Sequence, residues 1–228
     1  MRHALAMLAL CASCARALSV TLIRHGETEW NRAGRLQGAS DSPLTGVGVK
    51  QCIACGQRLK DSRFDLAISS PLPRAVRTAE LVLEQMSAPP PLQHDPRLAE
   101  RSFGDWEGMS WSEIERKFPN QLRSADANPR YAMPGGESRQ QVLDRALAFF
   151  GELSKRKCES VLIVTHSATA TLMIKKVLGL RLEQRRTFFI SNLAVNVLEF
   201  DRRRNIWLLR TLGDCTHLQD LSEDPPET

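Results

Sequence analysis

The sequence predicts an α/β fold, a three-layer α/β/α sandwich around a mainly parallel central sheet. Three observations lead there. Short apolar, β-branched runs alternate along the chain with longer stretches of helical periodicity. One run, Val161-Leu-Ile-Val164, is apolar without a break, as a strand covered on both faces requires. Polar residues suited to chemistry gather just beyond the runs, where open α/β sheets bind ligands.

Ser19 to Ile23 reads as the first buried strand. Thr45 is a plausible N-cap for a helix to Lys60, with apolar residues at Val49, Cys52, Ile53 and Leu59. A second strand is expected over Asp65–Ser69. Pro71-Leu-Pro-Arg74 then opens a helix, since a first turn tolerates proline, and Ser87 to Pro91 ends it after about Met86. Glu107 to Glu137 lacks strong periodicity apart from a short helix near Ser112–Phe118, and reads as a long binding loop. Ser138 and Gln141 form a capping box ahead of the stripe Val142, Leu143, Ala146, Leu147, Phe150 and Leu153. A helix from about Ala168 stops at Gly179, a natural residue for a left-handed C-terminal cap. Val195–Phe200 and Ile206–Leu209 flank a charged hairpin tip, Asp201 to Asn205.

The 228 residues, 42% hydrophobic and 25% charged, are ordinary globular composition, which excludes fibrous and wholly disordered chains. A net charge of +5 suggests an anionic partner, but basic runs such as Arg185-Arg186 and Arg202-Arg203-Arg204 are too short for a nucleic-acid surface. No acidic residue precedes Glu27. Arg2 and His3, the apolar stretch Ala4–Ala12, and Ala15-Arg-Ala17 have the form of a cleaved signal over residues 1–17. That apolar stretch is too short to span a bilayer. The expected destination is the secretory pathway or the extracellular space, with a plastid or mitochondrial transit peptide as the alternative. Cleavage would take Lys+Arg from 31 to 29 and the net charge from +5 to +3. A catalytic domain is expected over 18–221, followed by a disordered acidic tail over 222–228. Cys52 and Cys55 have C-x-x-C spacing but no second pair, and read as small packed residues on a helix.

The first strand ends in Arg24-His25-Gly26-Glu27-Thr28, the second in Ser69-Ser70 with Arg74 a turn further on, and the third in Thr165-His166-Ser167. Two histidines and two arginines thus meet at one edge. That set suits a phosphoryl group: arginine makes bidentate, permanently charged contacts to phosphate oxygens. An imidazole nitrogen attacks phosphorus well when its other nitrogen is held by a hydrogen bond. No phosphate-binding Walker loop, H-E-x-x-H motif or aspartate cluster occurs, so neither metal nor cofactor is expected.

Leu22-Ile-Arg-His-Gly-Glu-Thr-Glu-Trp-Asn31 resembles the L-x-R-H-G-E-T-x-x-N signature of the histidine phosphatase superfamily, in the branch that holds cofactor-dependent phosphoglycerate mutase. The resemblance runs on through Arg35–Gly38, Pro43–Thr45, Ser69–Arg74, Leu98–Glu100, Phe103–Gly108, Pro134–Ser138 and Val164–His166, and reaches Leu218. It implies the phosphoglycerate mutase-like fold. It also implies that His25 becomes phosphorylated, that Arg24, Arg74 and His166 bind the transferring group, and that Glu100 is general acid and then base. Thr28, Asn31, Gln37 and Gly38 would line the pocket. Ser167 stands where the family usually has glycine, which leaves the substrate less determined than the chemistry.

The expected activity is a metal-independent phosphatase acting on a small phosphorylated metabolite such as a sugar phosphate. A mutase is the alternative. The resemblance implies that the family's glycolytic mutases carry a longer segment with clustered basic residues between the acid and the second histidine; here 65 residues separate Glu100 from His166, and Arg116, Lys117, Arg123 and Arg130 are dispersed, which favours hydrolysis. A protein phosphatase, or an inactive relative used for binding, are further readings; the second is disfavoured because His25, Arg24, Arg74, Glu100 and His166 are all kept. Oligomeric state cannot be read from the sequence.

Overall fold

A computed structural model of the chain describes residues 17–183 and 188–221. The expected signal, except Ala17, lies outside the described residues, as do Arg185-Arg186 and the tail from Ser222. Six strands form one sheet: β1 (Leu18–Arg24), β2 (Leu66–Ser69), β3 (Leu92–His94), β4 (Ser160–Thr165), β5 (Val195–Asp201) and β6 (Ile206–Asp214). Their spatial order is β3-β2-β4-β1-β5-β6, with β3, β2, β4 and β1 mutually parallel and β5 and β6 added as an antiparallel hairpin.

The alternation of side chains along β1 and β4 builds the three layers. Leu18, Val20, Leu22, Val161 and Ile163 face one apolar cluster, covered by α6 (Arg139–Leu153) and α7 (Ser167–Val177) through Val142, Ala146, Phe149, Phe150 and Ile174. Ile23, Leu162 and Val164 face the other, covered by α2 (Gly46–Arg58) and α3 (Pro73–Leu83) through Cys52, Ala75, Ala79 and Val82. Both helical layers start as expected. The Thr45 side chain accepts from Gly48 N–H, and Ser138 and Gln141 form a reciprocal capping box. Gly179 takes φ +68° just past α7, and Asn205 takes φ +55° at the hairpin tip.

One expectation needs correction. The short helix expected near Ser112–Phe118 is present as α4 (Trp111–Lys117), but the rest of 107–137 is not an irregular loop: it also holds α5 (Pro119–Ala127), and Ile114 and Ala125 pack with Leu36, Trp106 and Met133 as a third apolar cluster. A helix as short as α5 shows barely two turns of periodicity, and Pro119 opens it at its first position. The edge strand β3 and the four-residue α1 (Glu29–Arg32) also escaped prediction, being too short for any period to register. Cys52 and Cys55 are free thiols buried on α2, and burial pushes their pKa values up to about 11 and about 12, which leaves them unreactive. Arg202, from the basic hairpin tip, donates to the carbonyls of Ser154, Arg156 and Cys158 and so serves as a brace. Among the described residues no helix is long and apolar enough to cross a membrane.

Candidate active site

Strand register creates the site. Arg24 pairs with Thr165 across β1 and β4, so the next residues, His25 and His166, emerge side by side with ring centroids 5.1 Å apart. Val164 pairs with Ser69, which brings Ser70 and the start of α3 to the same edge. The chain can leave β1 this closely because Gly26 has no side chain: a Cβ there would lie 2.9 Å from Cys52 Sγ and from Gly48 O.

His25 Nδ1 lies 2.8 Å from Gly26 O. A carbonyl only accepts, so Nδ1 carries the ring proton and Nε2 keeps its lone pair. Burial, and then the positive charges of Arg24 and Arg74, hold the His25 pKa well below 6.5. His166 is held low by burial, then by Arg74, the neighbouring His25 and Arg24. Its Nε2 meets Ser70 Oγ at 2.7 Å. Its Nδ1 is buried with no partner among the described residues.

Two buried neutral histidines set a pH signature. Their folded pKa values lie below the unfolded value near 6.5, so the unfolded chain takes up protons first as pH falls. The stabilisation is complete above pH 6.5 and is lost as pH drops towards the folded values, at up to about 1.4 kcal/mol per pH unit for each histidine. Urea midpoints measured from pH 7.5 to 5.5 should therefore fall less steeply for His166→Gln than for the unaltered protein. Parallel slopes would contradict the assignment.

Arg74 is buried to 1% exposure on the first turn of α3. Its guanidinium donates to Gly38 O and Ser40 O, both at 2.7 Å, and to Asp41 Oδ1 at 2.9 Å, so it is locked in the wall of the site. Arg24 donates from Nη1 to Ile190 O at 2.9 Å. Burial lowers its pKa to about 10, and it stays charged at neutral pH. The Nε atoms of both arginines are buried and lack a protein acceptor. With His166 Nδ1, three buried nitrogens near His25 are thus without a partner among the described residues.

Glu100 follows the Leu98–Ala99 turn, which is clamped to the sheet. Thr165 and Thr169 hydroxyls donate to Leu98 O and Ala99 O, and Arg145 donates to Arg97 O, Ala99 O and Glu100 O. The carboxylate accepts from Arg101 N–H at 2.9 Å and from Ala168 N–H, at the start of α7, at 3.3 Å.

These side chains open on a cleft of about 450 Å³, also lined by the predicted Asn31, Gln37, Gly38 and Ser167. Arg24, Arg35, Arg74, Arg101, Arg139 and Lys175 line it against one carboxylate, Glu100, a field that favours an anion. Thr28 is placed differently from the sequence reading. It is fully buried behind the cleft, where its hydroxyl accepts from Asn31 N–H at 3.2 Å and Gln37 Nε2 at 2.7 Å. It therefore positions two lining residues and does not line the cleft itself. His166 likewise lies beneath the surface, at 0% exposure against His25.

Several supporting residues were missed. Asn192 donates to His25 O at 2.7 Å and to Asn31 Oδ1 at 3.3 Å. Arg145, a cation between the apolar residues Leu143 and Ala146 of α6, could have been flagged on that ground; it also pairs with Glu137. Glu107 is as heavily bonded. Its carboxylate accepts from Ala39 N–H, Ser40 N–H and Oγ, Ser102 Oγ and Phe103 N–H, tying the Gly38–Asp41 loop that grips Arg74 to the segment after Glu100. Burial raises its pKa, and the bonds from Ser40, Ala39 and Phe103 outweigh that, so it titrates below the usual range. Gly38, at φ +58°, keeps clear of this carboxylate, which a Cβ would meet at 2.1 Å. Glu107→Gln should cost about 1–3 kcal/mol of stability, by urea denaturation, and lower kcat/KM roughly tenfold.

Comparison with known proteins agrees with this layout. A profile of the histidine phosphatase superfamily (branch 1) matches residues 20–214. The chain belongs to that superfamily. It is 32% identical to a protein described as "Probable phosphoglycerate mutase GpmB" from Proteus mirabilis (strain HI4320), over 91% of this chain and 98% of that one. Among solved structures it resembles Bacillus stearothermophilus YhfR, with a TM-score of 0.81, 32% identity, and coverage of 89% of this chain and 100% of that one. The alpha-ribazole phosphatase from Shigella flexneri gives a TM-score of 0.76 at 29% identity, covering 86% and 96%.

Proposed function

We propose that the protein is a metal-independent phosphatase that hydrolyses a small phosphomonoester through a phosphohistidine on His25. The observation that carries this reading is the pair of buried guanidinium N–H donors without an acceptor among the described residues, Arg24 Nε and Arg74 Nε, beside an imidazole whose free lone pair is on Nε2. A phosphoryl group supplies the missing acceptors. In the first step Nε2 attacks phosphorus and the bond to the ester oxygen breaks, while Glu100 gives a proton to that oxygen. Arg24 and Arg74 neutralise the charge spread over the equatorial oxygens, the role a metal ion fills elsewhere, and the neutral His166 ring packs against the nucleophile. In the second step the Glu100 carboxylate takes a proton from water, whose oxygen attacks phosphorus. The N–P bond breaks, inorganic phosphate departs, and Glu100 is again the acid.

The mutase named for the Proteus mirabilis relative is the second reading. There the phosphoryl group returns to another hydroxyl in place of water. Incubation with a phosphate-labelled phosphoglycerate or sugar phosphate separates the two. Prompt label release as inorganic phosphate, unchanged by EDTA, is the expected outcome. Label retained on an isomerised product supports the mutase, and loss of activity in EDTA contradicts metal independence.

A further inference from the structure

We propose that the substrate's leaving group carries a ring, held beyond the phosphate site by Trp111, Phe103 and Phe189; this rests on the phosphatase reading of the same cleft. Five large hydrophobic side chains are exposed among the described residues, and the only two aromatic ones, Trp111 at 45% and Phe189 at 74%, both line this cleft. Exposed rings beside a reaction centre gain most from a ligand that covers them. Phe103 meets Trp111 edge-on, with centroids 6.5 Å apart and planes at 85°, which gives the cleft an aromatic corner. Arg101 lies over the Phe103 ring at 5.2 Å and Arg24 over Phe189 at 5.7 Å, contacts that steady both rings before a ligand arrives.

The size of the cleft agrees. About 450 Å³ lies in the range that encloses a ring-sized ligand, and a three-carbon acid would leave the rings wet. A second anionic group is the competing occupant, because Arg35, Arg101, Arg139 and Lys175 also line the cleft. The three guanidiniums each donate to backbone carbonyls, Arg35 to Gly108 O, Arg101 to Glu137 O, and Arg139 to Ala125 O and Asp126 O, and a substrate with a second anionic group decides between the two occupants.

The test compares primary alkyl phosphates of similar leaving-group acidity. Expected is a kcat/KM for 2-phenylethyl phosphate about tenfold or more above those for propyl phosphate and 3-phosphoglycerate, from burial of one ring. Trp111→Ala, and separately Phe189→Ala, should each pull the phenylethyl-to-propyl ratio back severalfold towards one. Phe189 is so exposed that its replacement leaves the fold intact, so it carries the test should Trp111→Ala unfold. Equal rates, a preference for phosphoglycerate, or a ratio that neither variant moves overturns the proposal. If no ester releases phosphate, p-nitrophenyl phosphate included, the phosphatase reading itself fails and this one with it.

Discussion

Replacing His25 with Ala should lower kcat for p-nitrophenyl phosphate by about 10⁴-fold or more while leaving the fold intact. The size follows from what His25 supplies. Its Nε2 is the one neutral nucleophile that the geometry delivers to a site ringed by Arg24, Arg74 and His166, with its proton committed to Gly26 O. Water cannot replace it without a path of its own in line with the leaving group. The fold should survive because His25 contributes one local hydrogen bond, and its burial as a neutral ring in a polar site is not a packing anchor. A thermal melt within a few degrees of the unaltered protein, with activity gone, is the expected pair of results. Full activity in this variant would remove His25 from the chemistry.

Arg74→Ala should produce the second largest loss, and here activity and stability fall together. The guanidinium holds Gly38 O, Ser40 O and Asp41 in one grip and keeps its buried Nε without an acceptor among the described residues. Its removal takes away a transition-state contact, for about 10²–10³-fold in kcat/KM, and leaves buried acceptors unpaired, for about 3 kcal/mol or more of stability. Arg74→Lys separates the two effects. A lysine keeps the charge but cannot reach three loop acceptors and a phosphate oxygen at once, so stability should recover in part and kcat/KM much less. Complete rescue by lysine would mean that Arg74 acts through charge alone.

The sheet and its site were legible in the sequence for one physical reason. β1 and β4 are buried on both faces, so they are mostly apolar, as at Leu22-Ile23 and Val161–Val164, and the polar pairs that follow, Arg24-His25 and Thr165-His166, mark the carboxyl edge. Caps at Thr45 and Ser138 were readable because capping chemistry is local. What escaped was set by distant pairing or by very short elements. The cluster of Leu36, Trp106, Ile114, Ala125 and Met133 draws its members from residues nearly a hundred apart in the chain, and no window of sequence shows it. Glu107 looked like one more polar residue in a loop, and its five hydrogen bonds exist only because residues 38–41 fold over it. Thr28 sits next to catalytic residues in the chain, and sequence placed it in the cleft; its role as the peg for Gln37 and Asn31 depends on which way α1 turns.

The central claim is that phosphate passes through a covalent bond to His25. The direct measurement mixes the protein with a phosphomonoester on the millisecond scale, quenches in alkali, where phosphohistidine survives, and digests the chain for mass spectrometry. One added phosphoryl group is expected on the peptide containing Arg24-His25-Gly26, lost on acid treatment, absent in His25→Ala and accumulating when Glu100→Gln slows its hydrolysis. Turnover with no phosphopeptide at any quench time in Glu100→Gln, or the phosphoryl group on a residue other than His25, would contradict it.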